Sequence, residues 1–283
     1  MTELALAPRA CVIGWPVRHS RSPMIHGFWL REHELAGAYE RAEVPPEQFA
    51  DFVASMPGNG FVGGNVTVPH KEAAFRACAI RTPTAELLGA VNTLWIERGQ
   101  LCGDNTDAAG FLGALDADAP GWDGRLKTAV VLGAGGAARA ILYGLKTRGV
   151  ETIRLANRSR ARAEELAAHF GDIVEVVGWD RRGDALSDAD ILVNTTSLGM
   201  KGQPPLDIDL SRLPDHAVVD DIVYVPLDTD LLIRARARGL RVVGGLGMLL
   251  HQAAPGFERW FGVRPRVSPA LRAFVENDVR SAG

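Results

Sequence analysis

The stretch Thr128-Ala129-Val130-Val131-Leu132-Gly133-Ala134-Gly135-Gly136-Ala137-Ala138 decides the fold. Its first five residues form a short apolar run of the kind that makes a buried strand, and the residues after Gly136 have helical spacing. Between the two the chain must turn sharply, and only glycine lets a backbone turn so tightly and come close to a pyrophosphate. The helix behind the turn would aim its free N–H groups and the positive end of its dipole at the phosphates. Ala138 stands where a third small residue is needed so that helix and strand can pack. A glycine-rich turn alone is often plain packing. A strand before, a helix after and a further strand near Thr152 make it a dinucleotide site, with Gly133, Ala134, Gly135, Gly136 and Ala137 at the phosphates.

Working outward, the chain from Thr128 to Gly245 alternates short apolar runs with longer stretches. The runs Ala129–Leu132, Thr152–Ala156, Ile173–Val177, Asp190–Asn194, Ala217–Asp220 and Arg241–Val243 read as strands. Ala138–Arg148, Ala161–Phe170 and Thr229–Arg238 have helical spacing. Continuous apolar strands between helices predict a parallel sheet covered on both faces, which binds ligands at the carboxyl ends of its strands. The preceding segment also alternates, with strands expected at Cys11–Gly14, Ala38–Glu43, Phe61–Val66 and Val91–Glu97. Helices are expected at Pro23–Leu35, Pro46–Met56 and Lys71–Ala77. The breaker-rich stretch 116–124 reads as a linker. After Gly247 the chain turns helical, Met248–Phe261 and Pro269–Val279, with no strand left for this tail to join. The expected organisation is an α/β domain over 1–115, onto which 247–283 returns, and a Rossmann-like doubly wound domain over 124–246.

Composition narrows the function. At 283 residues, 47% apolar and 23% charged, the chain can bury a substantial core. A net charge of −3 with no basic block gives no support for a nucleic-acid or anionic-membrane partner. Cys11, Cys78 and Cys102 are far apart and odd in number, so reduced, buried thiols in a cytoplasmic protein are expected. The first residues lack a basic segment followed by an apolar core, so no secretory leader is expected. The histidines show no HxxxH or HExxH spacing and the carboxylates no calcium-loop ladder, so no metal is implied.

Four polar clusters in the first half fall at predicted element ends. In Gly14-Trp15-Pro16-Val17-Arg18-His19-Ser20-Arg21-Ser22-Pro23, the two hydroxyls Ser20 and Ser22 could donate to a small carboxylate; equally, Ser22 could only cap a helix beginning at Pro23. In Gly63-Gly64-Asn65-Val66-Thr67-Val68-Pro69-His70-Lys71 a strand ends at Asn65 and Lys71 opens a helix. A cation is misplaced in a helix's first turn, which marks Lys71 as a candidate acid or base, whereas His70 reads as packing or capping. In Gly89-Ala90-Val91-Asn92-Thr93 and Gly103-Asp104-Asn105-Thr106-Asp107, Asn92 and Asp107 offer acceptors suited to hydroxyls, although a turn asparagine and a first-turn carboxylate would look the same.

The second strand of the nucleotide domain is followed by Asn157-Arg158-Ser159-Arg160-Ala161-Arg162. A site that prefers NAD usually ends this strand with an acid that bonds the ribose 2′-OH, and here Asn157 stands in its place. Arg158 and Arg162, on one face if the helix starts there, have guanidinium forks suited to a 2′-phosphate, which points to NADP.

Together these residues resemble the shikimate dehydrogenase family, over nearly the whole chain. The resemblance rests on Ser20-Arg21-Ser22-Pro23, Asn65 to Lys71, Gly89 to Thr93, Asn105-Thr106-Asp107, Gly133 to Ala137, Asn157-Arg158-Ser159, Asn194-Thr195-Thr196-Ser197-Leu198-Gly199, Tyr224-Val225-Pro226 and Gly247-Met248-Leu249-Leu250-His251-Gln252. Each is common, but the ordered set is specific. The resemblance implies reversible NADPH-dependent reduction of 3-dehydroshikimate to shikimate, on the route to chorismate and the aromatic amino acids; the alternatives are a quinate/shikimate dehydrogenase of broader specificity and a non-catalytic nucleotide-sensing relative. It implies that Ser20 and Ser22 hold the substrate carboxylate, and that Asn65, Thr67, Asn92, Asp107 and Gln252 bond the ring hydroxyls and reacting oxygen, with Tyr224 nearby. Lys71 and Asp107 would be the catalytic pair. Thr196, Ser197 and Met200 would line the nicotinamide side, with Gly245 and Met248 also at the cofactor and Asn157, Arg158, Ser159 and Arg162 at its adenosine end. The implied protein is a cytoplasmic monomer or homodimer with small-molecule partners only. Two positions depart from the family pattern, Gly27 and Ala108, and neither replaces an expected contact.

Overall fold

The computed structural model describes residues 7–281. By internal packing these divide into two units. One runs to Thr106 and takes in Gln252–Val275; the other holds Asp107–His251 and the described residues from Glu276.

The first unit is built on a six-stranded mixed sheet in the order β2-β1-β3-β5-β6-β4, made of β1 (Arg9–Gly14), β2 (Ala38–Glu43), β3 (Phe61–Val66), β4 (Ile80–Arg81), β5 (Thr93–Glu97) and β6 (Gln100–Asp104). Strands β2, β1 and β3 are parallel, and β5 runs antiparallel to both β3 and β6. The helices are α1 (Ser22–Glu32), α2 (Phe49–Ser55), α3 (Lys71–Ala77) and α4 (Pro83–Leu88). The β5–β6 hairpin turns through Arg98 and Gly99, both at positive φ, the geometry that matches the twist of two-residue hairpins. Thr82 starts α4 by accepting from the Ala85 N–H at 3.2 Å, and Gly89 ends it at φ +62°.

Helix α1 begins at Ser22 and its preceding residue, Arg21, makes no side-chain cap, so Ser22 is not the cap that one reading of the sequence allowed. The expected helix over Pro46–Met56 is a short 3-10 turn, Pro46–Gln48, followed by α2. Sequence reading missed β4, β6 and α4.

In the second unit, β7 (Thr128–Leu132), β8 (Thr152–Ala156), β9 (Val174–Val177), β10 (Ile191–Asn194), β11 (Val218–Asp221) and β12 (Arg241–Gly244) form a wholly parallel sheet in the order β12-β11-β10-β7-β8-β9. Counted within the unit, that is the doubly wound order whose direction reverses between the first and fourth strands, here β7 and β10. Both faces of β7 are buried along its length, as the apolar run required. The helices assigned wholly to this unit are α5 (Asp107–Asp118), α6 (Gly136–Thr147), α7 (Arg160–Phe170) and α8 (Asp230–Ala237). Helix α6 buries Ala138, Ile141, Leu142 and Leu145 on one face. Helix α5 runs on to Asp118, three residues into the stretch expected to be linker.

Two long helices close the chain, α9 (Gly245–Phe261) and α10 (Pro269–Ser281). Of the tail expected to return, Gln252–Val275 belongs to the first unit, where Phe257 and Trp260 of α9 lie with Trp29 and Tyr39 around the buried His26; the described residues from Glu276 are grouped with the other unit. Cys11, Cys78 and Cys102 are all buried free thiols, and burial pushes Cys11 and Cys78 up to about 12.

Candidate active site

In the nucleotide unit the turn after β7 has the geometry its glycines imply. Gly133 sits at φ +104°, and a Cβ there would come within 2.5 Å of the Thr195 hydroxyl oxygen, so both conformation and space demand glycine. Gly135 and Gly136 differ: a Cβ on either meets nothing within 4 Å among the described residues. Their lack of side chain answers no internal contact and leaves the N-terminus of α6 open to an approaching anion. Ala138 is fully buried, as helix–strand packing requires.

At the adenosine end, Asn157 donates through Nδ2 to the Ser159 carbonyl at 2.8 Å and closes the turn. Helix α7 starts at Arg160, not Arg158, so the two arginines do not share a helix face. Arg158 precedes the helix and Arg162 lies in its first turn. Both are exposed, and neither makes a hydrogen bond or ion pair among the described residues, whereas Arg160 between them is paired to Glu164 at 2.7 Å. The open glycines and the two unpaired guanidinium groups fit a dinucleotide with a 2′-phosphate.

Across the switch point, Asn194 ends β10 fully buried and organises the next loop. Its Oδ1 accepts from the Thr196 N–H at 3.0 Å and hydroxyl at 2.7 Å; its Nδ2 donates to Asp221 Oδ1 at 2.9 Å and the Leu198 carbonyl at 3.2 Å. Asp221 Oδ2 accepts from Thr229 Oγ1 at 2.7 Å, and that oxygen also caps α8. Burial raises Asp221 above the usual carboxylate range, opposed by hydrogen bonds from Thr229, Val223 and Asn194. The loop thus holds Thr196 half-buried, with Ser197 and Met200 exposed. Gly245 is required by close backbone approach, since a Cβ would lie 2.0 Å from the Ile222 carbonyl oxygen. Met248 and Tyr224 are half-buried.

In the first unit the polar residues gather at the ends of β1, β3, β5 and β6. The loops after β1 and β3 are tied together by Thr67 N–H to the Ile13 carbonyl at 2.9 Å and Trp15 N–H to the Val68 carbonyl at 3.1 Å. Ser20 and Ser22 hydroxyl oxygens lie 3.3 Å apart. Ser22 is buried and also hydrogen-bonds to the Tyr39 phenol. Lys71, half-buried, opens α3, and its carbonyl accepts from Val91 N–H at 2.9 Å, joining it to the Asn92 strand. His70 packs, as expected, stacked on Phe49 with its Nε2 2.7 Å from the Val44 carbonyl oxygen.

Asn65 and Asn92 are buried in one continuous web. Tyr39 Oη donates to Asn65 Oδ1 at 2.6 Å, and Asn65 Nδ2 donates to the Asn92 carbonyl at 3.2 Å and Thr93 Oγ1 at 3.3 Å. Asn92 Oδ1 accepts from Thr93 Oγ1 and Thr106 N–H, both at 2.9 Å. Thr106 Oγ1 donates to the Gln252 carbonyl at 2.9 Å, which binds the start of the returning tail. Asp107 follows directly as the first residue of α5. Sequence reading missed Tyr39, Thr93 and Thr106. Nothing distinguishes a web tyrosine from a core tyrosine in a strand such as β2, and the threonines read as neighbours of Asn92 and Asp107.

Three family models match the chain: the shikimate dehydrogenase substrate binding domain over residues 12–94, shikimate / quinate 5-dehydrogenase over 121–200, and the shikimate 5′-dehydrogenase C-terminal domain over 245–273. A shikimate dehydrogenase (NADP(+)) from Methylocella silvestris is 62% identical over 98% of this chain and 99% of its own length. Among solved structures, shikimate 5-dehydrogenase from Thermus thermophilus in complex with NADP(H) and shikimate superposes with a TM-score of 0.82 at 37% identity, covering 98% of this chain and 100% of that one. Quinate dehydrogenase from Corynebacterium glutamicum in complex with NAD gives 0.88 at 31% identity, covering 95% of this chain and 99% of that one. With these matches along its length and the nucleotide turn and polar web in place, the chain belongs to the shikimate dehydrogenase family.

Proposed function

We infer that this protein is an NADP-dependent shikimate dehydrogenase, reversibly reducing 3-dehydroshikimate to shikimate in chorismate and aromatic amino acid biosynthesis. The observation that carries the inference is 62% identity over 98% of the chain to a shikimate dehydrogenase (NADP(+)). The unpaired Arg158 and Arg162, with no acid at Asn157, support NADP over NAD. A quinate-oxidising, NAD-linked role is not favoured, although the fold alone would accommodate it.

When bound, NADPH would supply the hydride to the substrate's carbonyl carbon, and we assign the turn Gly133 to Ala137 with Asn157, Arg158, Ser159 and Arg162 to hold it. The chain's own residues then have two tasks. The first is to hold the cyclohexene acid, for which we assign Ser20 and Ser22 to the carboxylate and Thr67, Asn92, Gln252 and Tyr224 to the ring oxygens. The second is the proton. Negative charge develops on the reacting oxygen, so a donor must reach it; we assign Lys71 to stabilise that charge and deliver the proton, and Asp107 to orient the lysine or the substrate hydroxyl. Thr196, Ser197, Met200, Gly245 and Met248 are assigned to the nicotinamide side. We read the protein as a cytoplasmic monomer or homodimer.

The test is loss of NADPH absorbance on adding 3-dehydroshikimate, repeated in reverse with shikimate against quinate and NADP against NAD. Turnover with shikimate and NADP is expected. A protein that oxidises quinate with NAD at least as well would overturn the assignment.

A further inference from the structure

The polar web of the first unit has a direction, and the direction starts at a residue that touches no proposed reacting group. Tyr39 is a phenol with one proton, given to Asn65 Oδ1 at 2.6 Å. With its oxygen committed, Asn65 faces Thr93 with its NH2 end, which donates to Thr93 Oγ1 at 3.3 Å. Thr93 Oγ1 therefore receives on a lone pair and must spend its single proton elsewhere, and the oxygen at 2.9 Å is Asn92 Oδ1. Thr106 N–H fills the other lone pair of that oxygen, also at 2.9 Å. Turning the Asn92 amide over would set its NH2 against two donors, so the web fixes the nitrogen as the end that serves anything outside it.

We propose that Tyr39 is a positioning residue, which through Asn65 and Thr93 supports the polarity that the Thr106 N–H gives the Asn92 amide and so helps to hold it as a donor to a substrate ring oxygen. Asn65 on this account acts through Asn92 and does not itself grip the substrate. The proposal rests on the shikimate dehydrogenase reading for the identity of that substrate. The Ser22 hydroxyl also bonds the same phenol, so Tyr39 links the residues assigned to the two ends of the acid. Replacing Tyr39 with phenylalanine keeps the ring stacked on His26, with centroids at 4.0 Å in the native protein, and removes the donor to Asn65 together with the acceptor of Ser22; Thr93→Val cuts the web without touching Ser22 and separates the two. Asn65 Nδ2 keeps the Asn92 carbonyl and Thr93 as acceptors, but its buried oxygen loses the phenol donor, so the Asn65 amide, and Thr93 and Asn92 beyond it, are held less firmly.

The experiment measures shikimate binding by calorimetry, and KM for shikimate, KM for NADP and kcat by steady-state kinetics, in the wild type, Tyr39→Phe, Thr93→Val and Thr93→Ser. For Tyr39→Phe the expected result is about a tenfold rise in Kd and KM for shikimate, the loss of one ordinary hydrogen bond, with KM for NADP unchanged and kcat within about threefold. Thr93→Val, which cuts the same chain one step later, repeats that split, and Thr93→Ser, which keeps the hydroxyl, restores wild-type values. A purely structural role would weaken NADP and shikimate together and lower the melting temperature in step, and that result overturns the proposal. So does shikimate affinity within about twofold of wild type in either Tyr39→Phe or Thr93→Val. If the wild type binds no shikimate, the functional reading falls along with the proposal, whereas binding by the wild type that Tyr39→Phe leaves intact overturns the proposal alone.

Discussion

The two units prepare for their ligands by opposite means. Around Gly133 the nucleotide unit offers backbone: glycines at 135 and 136 with empty space beside them, and arginines at 158 and 162 with no partner of their own among the described residues. The first unit offers side chains already spent on one another, with Tyr39, Asn65, Thr93 and Asn92 buried and hydrogen-bonded before any substrate arrives. An open arrangement recognises phosphates, which every dinucleotide shares, through N–H groups and charge. A saturated web recognises one pattern of donors and acceptors, because a wrong ligand leaves a buried group unpaired, at about 1–3 kcal/mol each.

The contrast can be broken most severely at Lys71. If the web only holds the acid and Lys71 carries the proton, Lys71→Ala should lower kcat by roughly 10²–10⁴-fold while KM for shikimate changes far less. Near-native turnover in stopped-flow or steady-state assays would take the chemistry away from the first unit.

A second test concerns what burial costs that unit. His26 lies fully buried within a cage of Trp29, Tyr39, Phe257 and Trp260, and burial pushes it down to about 3. Among the described residues neither ring nitrogen makes a hydrogen bond of normal geometry, and the nearby Asn65 side chain only partly opposes the shift. Unfolded, an ordinary histidine takes its proton below about 6.5, while the folded form refuses it until about 3. The unfolded state therefore binds more protons in that window, so stability rises with pH from about 3 to about 6.5 and is lost as pH falls. At about pH 4 this one side chain should cost about 3 kcal/mol relative to about pH 7. Denaturant titrations of His26→Phe should show that much less acid sensitivity than the wild type; equal pH dependence in the two proteins would refute the buried neutral imidazole.

The gentlest test lies in the nucleotide unit. Replacing Arg158 and Arg162 together by alanine should reduce the preference for NADP over NAD by roughly 10–100-fold in kcat/KM, since each charge-assisted bond to the 2′-phosphate is worth about 1.5–3 kcal/mol and both are solvent-exposed. A preference that survives the double substitution would place the discrimination elsewhere in the turn.

The same contrast explains what could be read without coordinates. Backbone recognition leaves a trace in sequence, because Gly133 must be glycine for reasons of φ and of Thr195, and the flanking strand and helix follow their own periods. The parallel sheet was legible for that reason, down to β8, which spans Thr152–Ala156 as expected. The Arg158/Arg162 pair was legible as chemistry but not as geometry, because the start of α7 at Arg160 depends on a turn that Asn157 closes through its own side chain. Strand β5 was expected, but its partner β6 was missed since Arg98 carries a positive φ without being a usual turn former. Short α4 has too few residues to show a period. The web escaped because all its bonds except the one between Thr93 and Asn92 join residues 13 to 146 positions apart, so no local pattern contains them. Side-chain recognition is written in tertiary structure.

The buried thiols carry a consequence for how this chain meets its chemical surroundings. Sulfur attacks electrophiles and oxidants as the thiolate, and a thiol held near 12, as Cys11 and Cys78 are, is ionised to only about one part in 10⁵ at pH 7. Cys102 is raised as well and equally enclosed. While the first unit stays closed, a thiol-specific reagent finds no reactive cysteine to modify, so the pace of thiol labelling becomes a clock for how often that unit opens.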